Sequence, residues 1–219
     1  MNTLNTPHAP QQALAQAMAQ LPLIAILRGL TPAEAPAIGH ALVDSGFAII
    51  EVPLNSPEPL QSIAVLTRLF PQTLIGAGTV LSAQQVQDVH AAGGRLVVSP
   101  NFNPKVVAQA LALGMVVLPG VATPSEAFAA LEAGAHGLKL FPAEMISPAT
   151  VKALRAVLPA HAALMPVGGI TPDNMGAYRA AGAHGFGLGS ALFAPGRNAN
   201  DVKSAALHFV QAFRGHAEN

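Results

Sequence analysis

Short apolar runs recur along the chain, each closed by proline, glycine or a polar residue. They read LPLIAILRG from residue 21, GFAIIEVP from 46, TLIGAGT from 73, RLVVSPN from 95, MVVLPG from 115, GLKLFP from 137, AALMPVGG from 162 and GFGLGS from 185. Rich in Ile, Val and Leu and without polar alternation, they have the form of parallel strands buried on both faces. Helical segments lie between them. TPAEAPAIGHALVDSG and TPSEAFAALEAG each open with Thr-Pro, as an N-cap and first helical residue would, and each closes at a glycine. Glu126 follows Thr123 by three residues, which completes a capping box. TPDNMGAYRAAG repeats the plan, and GAHG joins a helix end to a strand start at 134 to 137 and again at 182 to 185. Eight strands so spaced predict an α/β chain folded as a (β/α)8 TIM barrel. A doubly wound open sheet would have fewer strands and a Gly-rich dinucleotide turn after the first, where this chain has LRGLTP. Two helices fall outside the repeat. Residues 8 to 20 form an extra N-terminal helix over the barrel floor, and 200 to 214 place Val202, Ala206, Phe209, Val210 and Phe213 on one face. The expected division is a polar N-terminal segment and helix over 1–20, then a single barrel domain over 21–219, including the C-terminal helix.

A barrel concentrates chemistry at the carboxyl ends of its strands. Those ends carry Arg28, Glu51, Thr79, Asn101, Pro119, Lys139, Gly168 with Gly169, and Gly189 with Ser190. Three of them are charged, in a chain with few charges. Lys105, Lys152 and Lys203 fall in helical segments, where a solvated face explains them. Lys139 does not. Strand parity sets it with Gly137 and Phe141, against Leu138 and Leu140. If the leucines face the helices, the lysine points into the barrel, with room left above Gly137. Two readings follow: a structural ion pair with Glu51, or a desolvated amine whose neutral, nucleophilic form is accessible. Arg28 reads as a strand-end surface residue or as part of the same site. The glycine pairs read as plain turns, or as an anion site after strands seven and eight, where backbone N–H groups and a short helix starting at SALF would hold a phosphate.

Composition narrows the choice. The chain has 219 residues, 51% hydrophobic and 10% charged, with formal net charge +0. That predicts one ordered domain with a substantial core, and neither a nucleic-acid nor a membrane surface. Arg28 is the first basic side chain, too late for a secretory signal, and no apolar run approaches a bilayer span. A cytoplasmic protein is expected. With no cysteine, disulfide and thiolate chemistry are excluded. His136 and His184 fall at strand amino ends, away from the site, and His40, His90 and His161 on or beside helices, so no metal centre is expected.

The stretches PLIAILRGLTP, IIEVPLNSP, LIGAGTVL, LPGVATPSEA, GLKLFPAE, VGGITPDN and GLGSALF resemble the 2-keto-3-deoxy-6-phosphogluconate and 6-phosphogalactonate aldolases, over about residues 21 to 213. The resemblance implies a metal-free, cofactor-free class I aldolase on a (β/α)8 barrel, a homotrimer, acting on a phosphorylated 2-keto-3-deoxy sugar acid. It makes Lys139 the Schiff-base lysine and Glu51 the general acid/base. Arg28 and Thr79 would hold the pyruvyl end, and Gly168 or Gly169 with Gly189 and Ser190 the phosphate. Asn55 and Asn101 complete the candidate substrate contacts. The same resemblance implies that the Lys139 imine draws electrons from the C3–C4 bond while Glu51 moves the protons. A metal-dependent aldolase or epimerase would need a His and carboxylate cluster at the strand ends. A non-catalytic phosphosugar-binding barrel would have no need of a buried lysine.

The C4 epimer is read from EVPLNSP. Proteins of the phosphogluconate type resemble E-V-T-x-R-[ST] here, whereas this chain has Pro53 and Asn55, as in the phosphogalactonate type. LPGVATPSEA and KLFPAE lean toward the gluconate type. The expected main substrate is 2-dehydro-3-deoxy-6-phosphogalactonate, with the gluconate epimer as the alternative.

Overall fold

The computed structural model describes residues 9–215; expectations placed on 1–8 and 216–219 lie outside it. Each apolar run forms a parallel strand. These are β1 (Leu23–Ile26), β2 (Ile49–Pro53), β3 (Leu74–Gly78), β4 (Leu96–Val98), β5a (Val116–Leu118), β5b (Gly120–Val121), β6 (Leu138–Leu140), β7 (Leu164–Pro166) and β8 (Phe186–Leu188). The fifth strand is split because Pro119 has no N–H for the ladder, although its carbonyl still accepts from the Lys139 N–H at 3.0 Å. One sheet runs β5a-β4-β3-β2-β1-β8 and the other β5b-β6-β7. They meet through the chain at Pro119 and through a parallel bridge from Val167 to Gly187, which closes the ring. The fold is the expected (β/α)8 architecture.

Alternation along the strands separates two cores. Leu23, Ala25, Ile50, Val52, Leu138, Leu140 and Leu188 pack outward beneath the helices. Ile24, Ile49, Leu74, Leu96, Leu118 and Met165 fill the barrel. Helix α1 (Ala9–Gln20) adds Leu14 and Ala17 to the inner cluster and so covers the amino end of the barrel. At the other end of the chain, α9 (Ala199–Gly215) buries Val202, Ala206, Phe209 and Val210; Phe213 is partly buried against the same core.

Helix starts follow their caps. α6 (Pro124–Glu132) has the full Thr123–Glu126 capping box. α2 (Ala35–Val43) and α8 (Met175–Ala180) start later than a Thr-Pro cap predicts. At Thr31 the N–H and hydroxyl both donate to Glu34, at 3.0 and 2.6 Å, but the Glu34 N–H donates to the Thr31 carbonyl at 3.1 Å instead of the hydroxyl, which makes a turn ahead of the helix. At Thr171 the N–H donates to Asn174 Oδ1 at 3.0 Å, with the same result. Among the described residues, no helix is long and apolar enough to cross a membrane.

Candidate active site

The register of β6 decides where Lys139 points. Its flanking leucines lie in the outer core, so the lysine projects into the barrel. It is 6% exposed, and its Nζ stands over the Phe141 ring, 4.7 Å from the centroid. The space at Gly137 is not empty, contrary to expectation. A Cβ there would meet the Met165 methyl at 3.0 Å and Ala163 at 3.2 Å, so the glycine admits Met165 rather than leaving a void for the lysine.

Glu51 shares the inward face of β2 with Ile49. It is 1% exposed, and its Oε2 has no hydrogen-bond partner. The neighbouring strand reads LIGAG, which turns Leu74, Gly76 and Gly78 inward. A Cβ at Gly78 would lie 2.6 and 2.8 Å from the Glu51 carboxylate oxygens, so a bare α-carbon is what lets the acid fit.

An unpaired buried charge costs several kcal/mol. Burial therefore pushes the Glu51 carboxyl up, opposed by the positive charges of Lys139 and Arg28. Burial also pulls the Lys139 amine below the usual lysine range; Glu51 opposes this and Arg28 adds to it. The Arg28 guanidinium thus acts on both groups toward one state, an anionic carboxylate beside a neutral amine. In that state one group is a base and the other a nucleophile. The Oε2 atom left without a partner speaks against a closed, fully satisfied structural ion pair.

Arg28 is exposed at the end of β1, where its Nη1 donates to Asn55 Oδ1 at 3.2 Å. Gly29 N–H donates to Ser56 Oγ at 2.9 Å, so two bonds tie the loops after β1 and β2 together. Arg28, Asn55, Lys139, Phe141, Gly168, Gly169, Gly189 and Ser190 line one cavity of about 610 Å³, a size suited to a small metabolite. Glu51 lies buried outside that lining, and Thr79 and Asn101 are not part of it either. Thr79 has φ of 57°, a left-handed conformation that costs a β-branched residue about 1–3 kcal/mol. Asn101 is exposed beyond β4.

The glycine turns form a further part of the cavity wall. Gly168 and Gly169 have φ of 113° and 59°, which only glycine adopts without strain. Asn174 fixes their turn by donating from Nδ2 to Gly169 O at 2.8 Å while accepting from Thr171. After β8 the expected short helix at SALF is a single turn: Leu192 and Phe193 N–H groups donate to Gly189 O at 2.9 and 3.0 Å. Arg197 caps it by donating to Ala191 and Leu192 carbonyls at 2.9 and 3.0 Å, too early for a helix to continue.

Sequence reasoning missed three contributors: Gly78, Glu144 on the cavity wall, and Arg197. Gly78 had a sequence signal, two inward glycines beside the glutamate strand. The other two depend on contacts that strand patterns do not encode. His136 and His184 are structural. Their Nδ1 atoms accept from Val117 and Leu164 N–H at 3.1 and 3.3 Å, and burial lowers both imidazole pKa values. Among the described residues, no three His, Cys, Asp or Glu side chains converge as metal ligands would.

The family profile described as KDPG and KHG aldolase matches residues 14–206. A Rhizobium meliloti (strain 1021) protein called probable 2-dehydro-3-deoxy-6-phosphogalactonate aldolase is 50% identical over 193 residues, 88% of this chain and 91% of that protein. The 2-dehydro-3-deoxy-6-phosphogalactonate aldolase of Escherichia coli (strain K12) is 48% identical over 196 residues, covering 89% and 96%. A solved structure described as native KDPGal superposes with a TM-score of 0.90 at 46% identity, over 91% of this chain and 98% of that one.

Proposed function

Because the chain belongs to the KDPG and KHG aldolase family, we propose that it is a class I aldolase cleaving 2-dehydro-3-deoxy-6-phosphogalactonate to pyruvate and D-glyceraldehyde 3-phosphate. The observation that carries the chemistry is Lys139, a lysine held inside the barrel with its pKa lowered by burial, in the field of the buried Glu51. The neutral amine adds to the C2 ketone; Glu51, having taken up one proton from solvent, gives it to the C2 hydroxyl, which leaves as water, so that a protonated imine and a Glu51 carboxylate remain. Glu51 takes the proton from the C4 hydroxyl as the C3–C4 bond breaks, and its electrons flow into the imine. The aldehyde leaves with its phosphate. The enamine left on Lys139 takes a proton at C3, and hydrolysis releases pyruvate and restores the amine.

Arg28 holds the carboxylate end in this reading, steadied by Asn55. Gly168, Gly169, Gly189 and Ser190 hold the phosphate, whereas Thr79 and Asn101 act from outside the cavity wall. The bond from Arg28 to Asn55 also bears on the epimer. An arginine at 55 would set two cations together, displace the Arg28 fork and alter which C4 hydroxyl geometry is rewarded. A retro-aldol assay on both C4 epimers tests the substrate. The galactonate epimer is expected to have the higher kcat/KM, by about ten- to two-hundredfold. Faster cleavage of the gluconate epimer would reassign the substrate and leave the lysine chemistry intact. The assembly is read as a cytoplasmic homotrimer, which sedimentation of the purified protein would check for subunit number.

A further inference from the structure

Glu144 lines the same cavity as the glycine turns, and among the residues lining it Glu144 is the one acidic side chain. A Cβ on Gly168 would meet its Cδ at 2.9 Å and its Oε1 at 3.0 Å, and a Cβ on Gly169 would meet its Cγ at 3.3 Å. The carboxylate therefore lies against the turn. Its backbone is held there: Ala143 N–H donates to Val167 O at 2.9 Å, and Ala143 O accepts from the Tyr178 hydroxyl at 3.0 Å. Tyr178 also registers the nearby charge. Burial raises its phenol pKa, and Glu144 raises it further. The Glu144 side chain is solvent-exposed, so it has room to swing aside.

We propose that Glu144 is a displaceable anionic occupant of the Gly168–Gly169 turn and sets how strongly the cavity holds phosphate. The proposal rests on reading the glycine turns as the phosphate site. A carboxylate there repels an incoming phosphate and must withdraw before phosphate oxygens reach the backbone N–H groups. A free anion at the turn is held by those groups and Ser190, without the covalent anchor at Lys139. A sugar acid held at Lys139 as well brings its phosphate to the turn at high effective concentration and can displace the carboxylate. Glu144 thereby favours the tethered phosphate over the free one.

The test measures inhibition of the retro-aldol reaction by inorganic phosphate in wild type, Glu144→Gln, Glu144→Asp and Ser190→Asp. Glu144→Gln keeps the shape and removes the charge. Its inhibition constant for phosphate should fall about two- to fivefold, the size expected for one partly solvated charge. Glu144→Asp keeps the charge and should stay within about twofold of wild type, while Ser190→Asp should weaken phosphate. If Ser190→Asp weakens phosphate but Glu144→Gln leaves it unchanged or weaker, the role given to Glu144 is wrong and the site stands. If Ser190→Asp has no effect, or phosphate inhibits none of the four proteins, the glycine turns are not the phosphate site and both readings fall.

Discussion

At the amino end of the barrel, His136 and His184 each accept a strand N–H, Arg95 donates to the Pro71 and Thr73 carbonyls at 2.9 and 2.7 Å, and Arg155 donates to Leu158 and Ala162 at 3.0 and 2.7 Å. At the carboxyl end, Glu51 Oε2 is buried without a partner, and the Lys139 ammonium position is met by a ring face. The same barrel thus spends its polar side chains in two ways. Paired groups at the amino end hold strands together. Poorly paired groups at the carboxyl end cost stability, and burial drives them toward the neutral amine and shifted carboxyl that proton transfer and nucleophilic attack require.

Removing the central amine should break this contrast most completely. Lys139→Ala is expected to lower kcat at least ~10⁴-fold in a pyruvate-release assay, in keeping with the loss of a nucleophile. It should leave Tm unchanged or higher, because the group it removes is desolvated rather than bonded. A large drop in Tm would mean that Lys139 is a structural residue like those at the other end.

Gly78→Ala attacks the space around Glu51 instead of its charge. A methyl group within 2.6 Å of the carboxylate must move it, and a catalytic group displaced by about 1 Å can lose ~10²-fold in rate. The expected outcome is a fall in kcat of that order with pyruvate Schiff-base formation retained. Full activity would show that Glu51 tolerates displacement.

The electrostatic part sharpens the comparison. Glu51→Gln removes a charge that raises the Lys139 pKa, so Schiff-base trapping should persist to lower pH than in wild type. Arg28→Ala removes a charge that lowers it, so trapping should require higher pH. Shifts in the same direction for both variants would contradict the arrangement of charges.

These last contributions show where sequence reading stops. The eight strands could be read because parallel strands buried on both faces leave nearly unbroken apolar runs, and Lys139 stood out because a cation interrupts one. Glu51 and Arg28 stood out because a charge likewise falls in or at the end of an apolar run. The bond from Arg28 to Asn55 joins positions 27 residues apart and follows from the parallel pairing of β1 with β2, not from local pattern. Gly78 carried a signal, as one of two inward glycines beside the glutamate strand, whereas the place of Glu144 against the glycine turn did not. Thr-Pro was misread at Thr31 and Thr171 because the same dipeptide can open a turn or a helix, and the two differ in whether the N–H three residues on donates to the threonine hydroxyl, as at Thr123, or to its carbonyl, as at Thr31 and Thr171. SALF ends after one turn because Pro195 has no N–H for the Ala191 carbonyl, which accepts from Arg197 instead.

At the amino end the effect should be smaller and appear in stability. His136→Ala leaves Val117 N–H without its ring acceptor and should cost about 1–2 kcal/mol at pH 8. Burial depresses the His136 pKa, so the folded state favours the neutral ring. Its contribution is full above the unfolded value of about 6.5 and is lost as pH falls through the lower folded value. The gap in Tm between wild type and variant should therefore narrow on acidification below about pH 6.5. A gap that widened would reverse the assignment of the ring nitrogen as acceptor.

The most direct test of the central claim is to trap the wild-type protein with pyruvate and borohydride and locate the adduct by peptide mass spectrometry. A single reduced pyruvyl adduct on Lys139 is the predicted result. An adduct on Lys105, Lys152 or Lys203, or none on the active protein, would contradict it.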